Sequence, residues 1–176
     1  MDLRIVGFEP VVAERTRILV VGSMPGKDSL RRGEYYAHPR NRFWPMVEAV
    51  FGIPSTLPYD ERLRSLKDSG IGLWDALESC ERQGSLDADI LKQSEVYNGF
   101  ALFLRTYGRI GTICCNGVKA YELFSKRILP RLENSIAERL AIFRLPSTSP
   151  ANASYLYEDI VRAWSSVLLG DNLKNS

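Results

Sequence analysis

At 176 residues, with 45% apolar and 25% charged residues, the chain has the size and mixture of one globular domain spanning 1–176, too short for a second independent core. No run of about eighteen apolar residues occurs and the Met1-Asp2-Leu3-Arg4 start lacks a signal-peptide pattern, which argues against a membrane partner and for an intracellular, cytoplasmic protein. The net charge of +2 neither demands nor excludes nucleic acid, while three cysteines and a single histidine argue against a disulfide framework, an iron–sulfur cluster or a zinc site, so no metal and no cofactor are expected.

In chain order, the first of four short apolar runs that read as strands is Arg17-Ile18-Leu19-Val20-Val21-Gly22. A helix over Pro39 to Phe51 follows, its start set by proline and its apolar face carrying Phe43, Met46, Val47 and Val50. An amphipathic helix from Tyr59 to Asp68 leads into the second strand, Gly70 to Asp75. The third, Gly111 to Asn116, contains Cys114 and Cys115 and follows a helix over Gly99 to Tyr107. A helix over Val118 to Leu129 precedes the fourth strand, Leu140 to Leu145, and a last helix runs from Tyr155 to Leu169 before a tail, 170–176, expected to fray.

Near-continuous apolar strands alternating with helices imply the α/β class, as a three-layer α/β/α sandwich with a central four-stranded parallel sheet. Ligands of such sheets sit beyond the carboxyl ends of the strands. Those ends read Gly22-Ser23-Met24-Pro25-Gly26, Asp75-Ala76, Asn116-Gly117 and Pro146-Ser147-Thr148-Ser149-Pro150. The first is glycine-rich, which lets backbone N–H groups approach a ligand, but it lacks the Lys-Ser/Thr ending of a phosphate loop and the spacing of a dinucleotide fingerprint. Trp44, Trp74 and Trp164 fall on helical or strand periodicity and read as core.

More specific is Glu34-Tyr35-Tyr36-Ala37-His38-Pro39-Arg40-Asn41-Arg42-Phe43-Trp44, which combines aromatic faces that can stack on bases, cations that can meet phosphates, and an amide that can hold a water or a base edge. Lys27, Arg31 and Arg32 lie just upstream. Together with Gly22 to Gly26 and with Leu145-Pro146-Ser147-Thr148-Ser149-Pro150-Ala151-Asn152, this segment resembles the motifs of the uracil-DNA glycosylase superfamily, in the family's order and over about Arg17 to Leu169. Within it the chain is most similar to the hypoxanthine (deoxyinosine) DNA glycosylase branch.

The resemblance implies base excision repair: a deaminated nucleotide is flipped out of DNA and its N-glycosidic bond hydrolysed. It also implies departures from better-known branches, since Met24 stands where uracil-specific enzymes carry an aspartate and mismatch-specific ones an asparagine, and Leu145 where the former carry a histidine. Asn41 matches the asparagine regarded as catalytic in the hypoxanthine branch, with a helix-capping amide as the competing reading. Gly22, Ser23 and Met24 would position the base, Tyr36 would cover its face, and Asn116 and Ser147 would complete the substrate pocket; Asn116 could equally cap its loop. Arg40, Arg42, Ser147, Thr148, Ser149, Ala151 and Asn152 are the expected DNA contacts, Ala151 standing near the place of a larger intercalating side chain. His38, before a proline, reads as structural or DNA-contacting rather than as a general acid. No convincing amine nucleophile is present in the motifs, so a monofunctional enzyme acting on DNA containing deaminated bases is expected; a monomer is the expected oligomeric state. A mismatch-specific uracil/thymine glycosylase, and a non-catalytic module that senses damaged DNA, are the alternatives.

Overall fold

The computed structural model describes residues 4–170, and within them the four apolar runs form the strands of one parallel sheet. In chain order the elements are β1 (Arg4–Val6), β2 (Ile18–Gly22), α1 (Lys27–Arg32), α2 (Phe43–Phe51), α3 (Tyr59–Asp68), β3 (Ile71–Asp75), β4 (Leu77–Glu81), β5 (Val96–Tyr97), α4 (Phe100–Thr106), β6 (Thr112–Asn116), α5 (Val118–Leu123), α6 (Asn134–Ala137), β7 (Ala141–Leu145) and α7 (Tyr157–Leu168). The sheet order is β3-β2-β6-β7, every pairing parallel, so all four carboxyl ends open on one edge.

Strand side chains alternate between faces, and this decides which layer each joins. Leu19, Val21, Ile113 and Cys115 enter the core under α4 and α5, with Phe100, Phe103, Leu104 and Leu123. Val20, Leu73 and Cys114 face the opposite way, against Phe43, Met46 and Val47 of α2 and Ile160 and Trp164 of α7. Two apolar faces need two helical layers, which makes the α/β/α sandwich with its central four-stranded parallel sheet. The three tryptophans are buried in these cores. No described helix is long and apolar enough to cross a membrane.

Several element boundaries differ from the sequence reading. The helix expected from Pro39 begins at Phe43, because Pro39 to Asn41 form a turn in which the Asn41 N–H donates to the His38 carbonyl at 2.8 Å. The helix expected over Val118 to Leu129 stays α-helical only to Leu123, then widens to a π turn over Phe124–Ile128 and tightens over Leu129–Arg131. Pro130 has no N–H to continue the ladder, which accounts for the break. A second, antiparallel sheet β1-β4-β5 and the short α1 were not anticipated. Beyond Gly170, the tail lies outside the described residues.

Candidate active site

The four strand ends surround a cleft of about 1160 Å³, large enough for a nucleotide. Gly22, Ser23, Met24, Tyr36, Asn41, Asn116 and Ser147 all line it, as do Arg40, Thr148, Ser149, Ala151 and Asn152. Three segments far apart in sequence therefore meet at one opening. Of the residues expected to bind substrate or DNA, Arg42 is the one that is not part of that lining.

The aromatic-rich segment is held from several sides. The Tyr35 N–H donates to the Tyr59 hydroxyl at 2.9 Å, the Ala37 N–H to Ser29 Oγ at 3.2 Å, and Trp44 Nε1 to the Tyr35 carbonyl at 3.0 Å. Between these anchors Tyr36 adopts φ +57°, the left-handed region that bulky residues seldom occupy. Its ring stacks on Phe43 at 4.1 Å, so a base can cover only the opposite face. Asn41 Oδ1 accepts the Phe43 N–H at 3.0 Å, satisfying a donor at the start of α2 that the helix cannot. Asn41 precedes the N-cap residue, Arg42, so its bond reinforces the first turn from outside the cap, and the same bond fixes the plane of an amide that lines the cleft.

Arg42 turns away from the opening. Its guanidinium donates to the carbonyls of Ser149, Asn152 and Tyr155, at 3.3, 2.6 and 2.9 Å, and its N–H donates to the Thr148 carbonyl at 2.9 Å. It ties down the loop after β7 and is not placed as a direct phosphate ligand. Thr148 is fully buried and cannot reach a phosphate either. Its N–H donates to Asn116 Oδ1 and its hydroxyl accepts from Asn116 Nδ2, both at 2.9 Å, so Asn116 is a clamp between the ends of β6 and β7. Gly117 permits that approach: at φ +99°, a Cβ there would lie 2.9 Å from Ser147 Cβ. The Trp164 indole donates to the Pro146 carbonyl at 2.9 Å and anchors the other end of the loop.

Basic side chains outnumber carboxylates in the lining, although Arg31 is paired with Asp28 and Lys119 with Glu95. Lys27, Arg31, Arg40, Lys119 and Arg144 reach the cleft from four segments, a convergence that the net charge conceals. His38, also in the lining, accepts the Arg40 N–H at Nδ1, and its Nε2 lies 3.7 Å from Asp28 Oδ2. Nearby, Ser23 donates to Asp87 Oδ1 at 2.5 Å and the buried Arg82 donates to the Pro25 carbonyl at 2.6 Å. Burial, then the charge of Asp87, push the Asp75 carboxyl up to about 7 against the pull of Arg82. Asp87 is exposed as a residue, and local desolvation of its carboxyl raises it, opposed by Ser23, Arg82 and Lys119. Burial and Asp75 raise the Tyr36 hydroxyl. Asp75 and Asp87 were not singled out in the sequence; Asp75 stands at a strand end, where a signal existed, whereas nothing local marks Asp87.

No group of three or more His, Cys, Asp or Glu side chains among the described residues is placed to hold a metal, and all three cysteines are buried and free. Burial holds the Cys114 thiol well above its usual range and lifts Cys115 to about 12.

These features can be set beside known proteins. The family model for the uracil DNA glycosylase superfamily matches residues 9–167. A protein from Methanosarcina barkeri named hypoxanthine DNA glycosylase is 37% identical over 117 residues, covering 66% of this chain and 73% of that one. Its namesake from Methanosarcina acetivorans is 38% identical over the same length and shares. A solution NMR structure of an M. acetivorans protein, provisionally described as a uracil DNA glycosylase, superimposes with a TM-score of 0.76 at 31% identity, over 94% of this chain and 99% of that one. A parallel sheet whose carboxyl edge carries a rigid aromatic segment and a clamped serine-rich loop, matched by that family along nearly its whole length, makes this chain a member of the uracil DNA glycosylase superfamily.

Proposed function

We propose that the protein is a monofunctional DNA glycosylase that releases hypoxanthine from deoxyinosine in DNA and leaves an abasic site. The observation that carries this reading is the convergence of the three separated motifs on one cleft at the carboxyl edge of the sheet. The choice of hypoxanthine rests on the two relatives that bear that name. The protein acts as an intracellular monomer.

The chemistry asks for three things: a bound water, stabilisation of positive charge on the sugar as the C1′–N9 bond lengthens, and accommodation of the electron pair that leaves with the base. Asn41 is suited to the first. With Oδ1 already bonded to the Phe43 N–H, the amide is fixed, and its remaining acceptor capacity can orient a water. The backbone from Gly22 to Met24 lies against the base, and Tyr36 covers one of its faces. Arg40 on the rim and the serines of the 147–152 loop hold the DNA backbone. Ser147 Oγ accepts the Ser149 N–H and Ser149 Oγ the Ala151 N–H, both at 3.2 Å, and each hydroxyl keeps its own proton to donate to a phosphate oxygen.

The test is base release from duplexes bearing hypoxanthine, uracil, xanthine or a thymine mismatch, read after alkaline cleavage of abasic sites. Hypoxanthine is expected to be released fastest. Faster release of uracil or mispaired thymine would move the protein to the mismatch-specific branch, and tight binding without release would make it a damage sensor.

A further inference from the structure

β3 ends on Asp75, which is 4% exposed and lines the cleft. Its Oδ2 is fully buried with no hydrogen-bond partner, while the Tyr36 hydroxyl in the same lining lies against the Asn116 side chain. A buried polar atom left unpaired lowers stability, so an unpaired carboxyl oxygen in the lining of a cleft points to a ligand that completes it. Gly22 brings Asp75 and the Tyr36 hydroxyl together: a Cβ there would lie 2.3 Å from Asp75 Oδ1 and 3.5 Å from the Tyr36 hydroxyl. Glycine at this position is what lets the carboxyl stand beside the Gly22 backbone that faces the base.

We propose that Asp75, in its protonated form, is a catalytic residue that donates a hydrogen bond to the leaving base. The proposal rests on the glycosylase reading and deepens it. When the C1′–N9 bond breaks, its electron pair departs with the purine, and negative charge builds on the ring nitrogens and the lactam oxygen. An ionised carboxylate in contact with that ring would oppose departure. A neutral carboxyl offers an O–H donor instead, and its second oxygen can accept the lactam N–H that deamination creates. No proton need transfer in this step.

The surroundings favour the neutral form. Asp87, from the turn at Asp87–Asp89, opposes ionisation of Asp75, and burial acts in the same direction, while Arg82, beyond β4, opposes both; the balance puts the carboxyl near 7. The phenols of Tyr35 and Tyr36, from the segment before α2, are held neutral by their own burial. Asn98, which donates to the Asp75 backbone carbonyl, carries no charge, and Lys119 of α5 acts on Asp87.

Single-turnover release of hypoxanthine from a duplex, measured from pH 5.5 to 9 (about the window that brackets a group titrating near neutrality), tests this. The parent rate is expected to fall about tenfold per pH unit above roughly 7. Asp75→Asn keeps a donor that does not titrate, so its profile should lose that limb while release continues. Asp75→Ala should be slower than the parent at every pH below 7, with duplex affinity retained. A purely structural role would leave the shape of the profile unchanged in Asp75→Asn. A parent rate independent of pH, or an Asp75→Asn profile parallel to the parent's, overturns the assignment of Asp75 while leaving the glycosylase reading intact. If Asp75→Ala does not fold, the Asp75→Asn profile decides alone. A parent protein that releases no base overturns the glycosylase reading and this proposal with it.

Discussion

Asn41 serves the helix and the cleft with one amide, and the two roles separate by substitution. Its Oδ1 accepts the Phe43 N–H, an interaction whose loss costs about 1 kcal/mol. Asn41→Ala should lose that stability and also lower single-turnover base release by about 10²–10³, with duplex affinity held, because the amide acts on water in the transition state. Asn41→Asp keeps an acceptor for the Phe43 N–H but adds a charge and removes the amide donors. It should therefore recover the melting temperature without recovering the rate. Release within a few-fold of the parent in either variant would remove Asn41 from the chemistry. The sequence made Asn41 visible because its neighbours form a recognisable motif. It left Thr148 and Asp75 obscure, since a threonine in a serine-rich loop looks solvent-exposed until Asn116, 32 positions away, is seen to bind it. Asp75 likewise becomes unusual only when burial and Asp87 close around it.

At the level of elements, the loop from Pro146 to Asn152 depends on partners elsewhere: Arg42 before α2, Asn116 at the end of β6, and Trp164 of α7. Arg42 and Arg40 look equivalent in the sequence, and the structure gives them different tasks. Arg40 lines the opening, whereas Arg42 holds loop carbonyls. Salt dependence distinguishes a cation that displaces counterions from one that organises a loop. Arg40→Ala should weaken duplex binding and reduce the slope of log affinity against log salt by about one. Arg42→Ala should weaken binding several-fold through loss of loop order, with the slope unchanged. Equal changes of slope in both variants would return Arg42 to the phosphate contacts. The parallel strands were legible for a simple reason: the three other than β7 are almost wholly buried and β7 is interrupted only by Arg144, so each reads as a nearly continuous apolar run. The antiparallel sheet was not, because β1 and β5 have three and two residues and offer too little alternation to register. The start of α2 was misplaced because the turn at Pro39 to Asn41 delays the helix to Phe43.

A net charge of +2 for the whole chain hides an excess of basic over acidic side chains around the cleft, suited to drawing in a polyanion, while the buried Asp75 inside it is better placed to meet an uncharged base. Base release should survive exhaustive EDTA treatment, because the proposed chemistry uses an amide, a carboxyl and backbone groups; loss of activity that added metal restores would contradict it. That buried carboxyl has a thermodynamic consequence that can be measured without DNA. Asp75 titrates near 7 in the folded protein against an ordinary value of 3.8, so between those values the folded state binds the proton more tightly than the unfolded chain does. Stability is therefore full below about pH 4, falls as pH rises toward 7, and stays reduced above it, by up to about 4 kcal/mol from this group. Asp87 is raised in the same direction, but it is present in both parent and variant and cancels to first order when they are compared. Asp75→Asn removes the ionisation and keeps the shape. Its melting temperature should match the parent's near pH 4 and exceed it by several degrees at pH 8, the gap opening through the interval in which Asp75 loses its proton. A gap that does not change with pH would mean that Asp75 is not the buried titrating group, whereas one that opens with pH would place the cost of that burial in the cleft, where an unpaired acid faces the space left for the base.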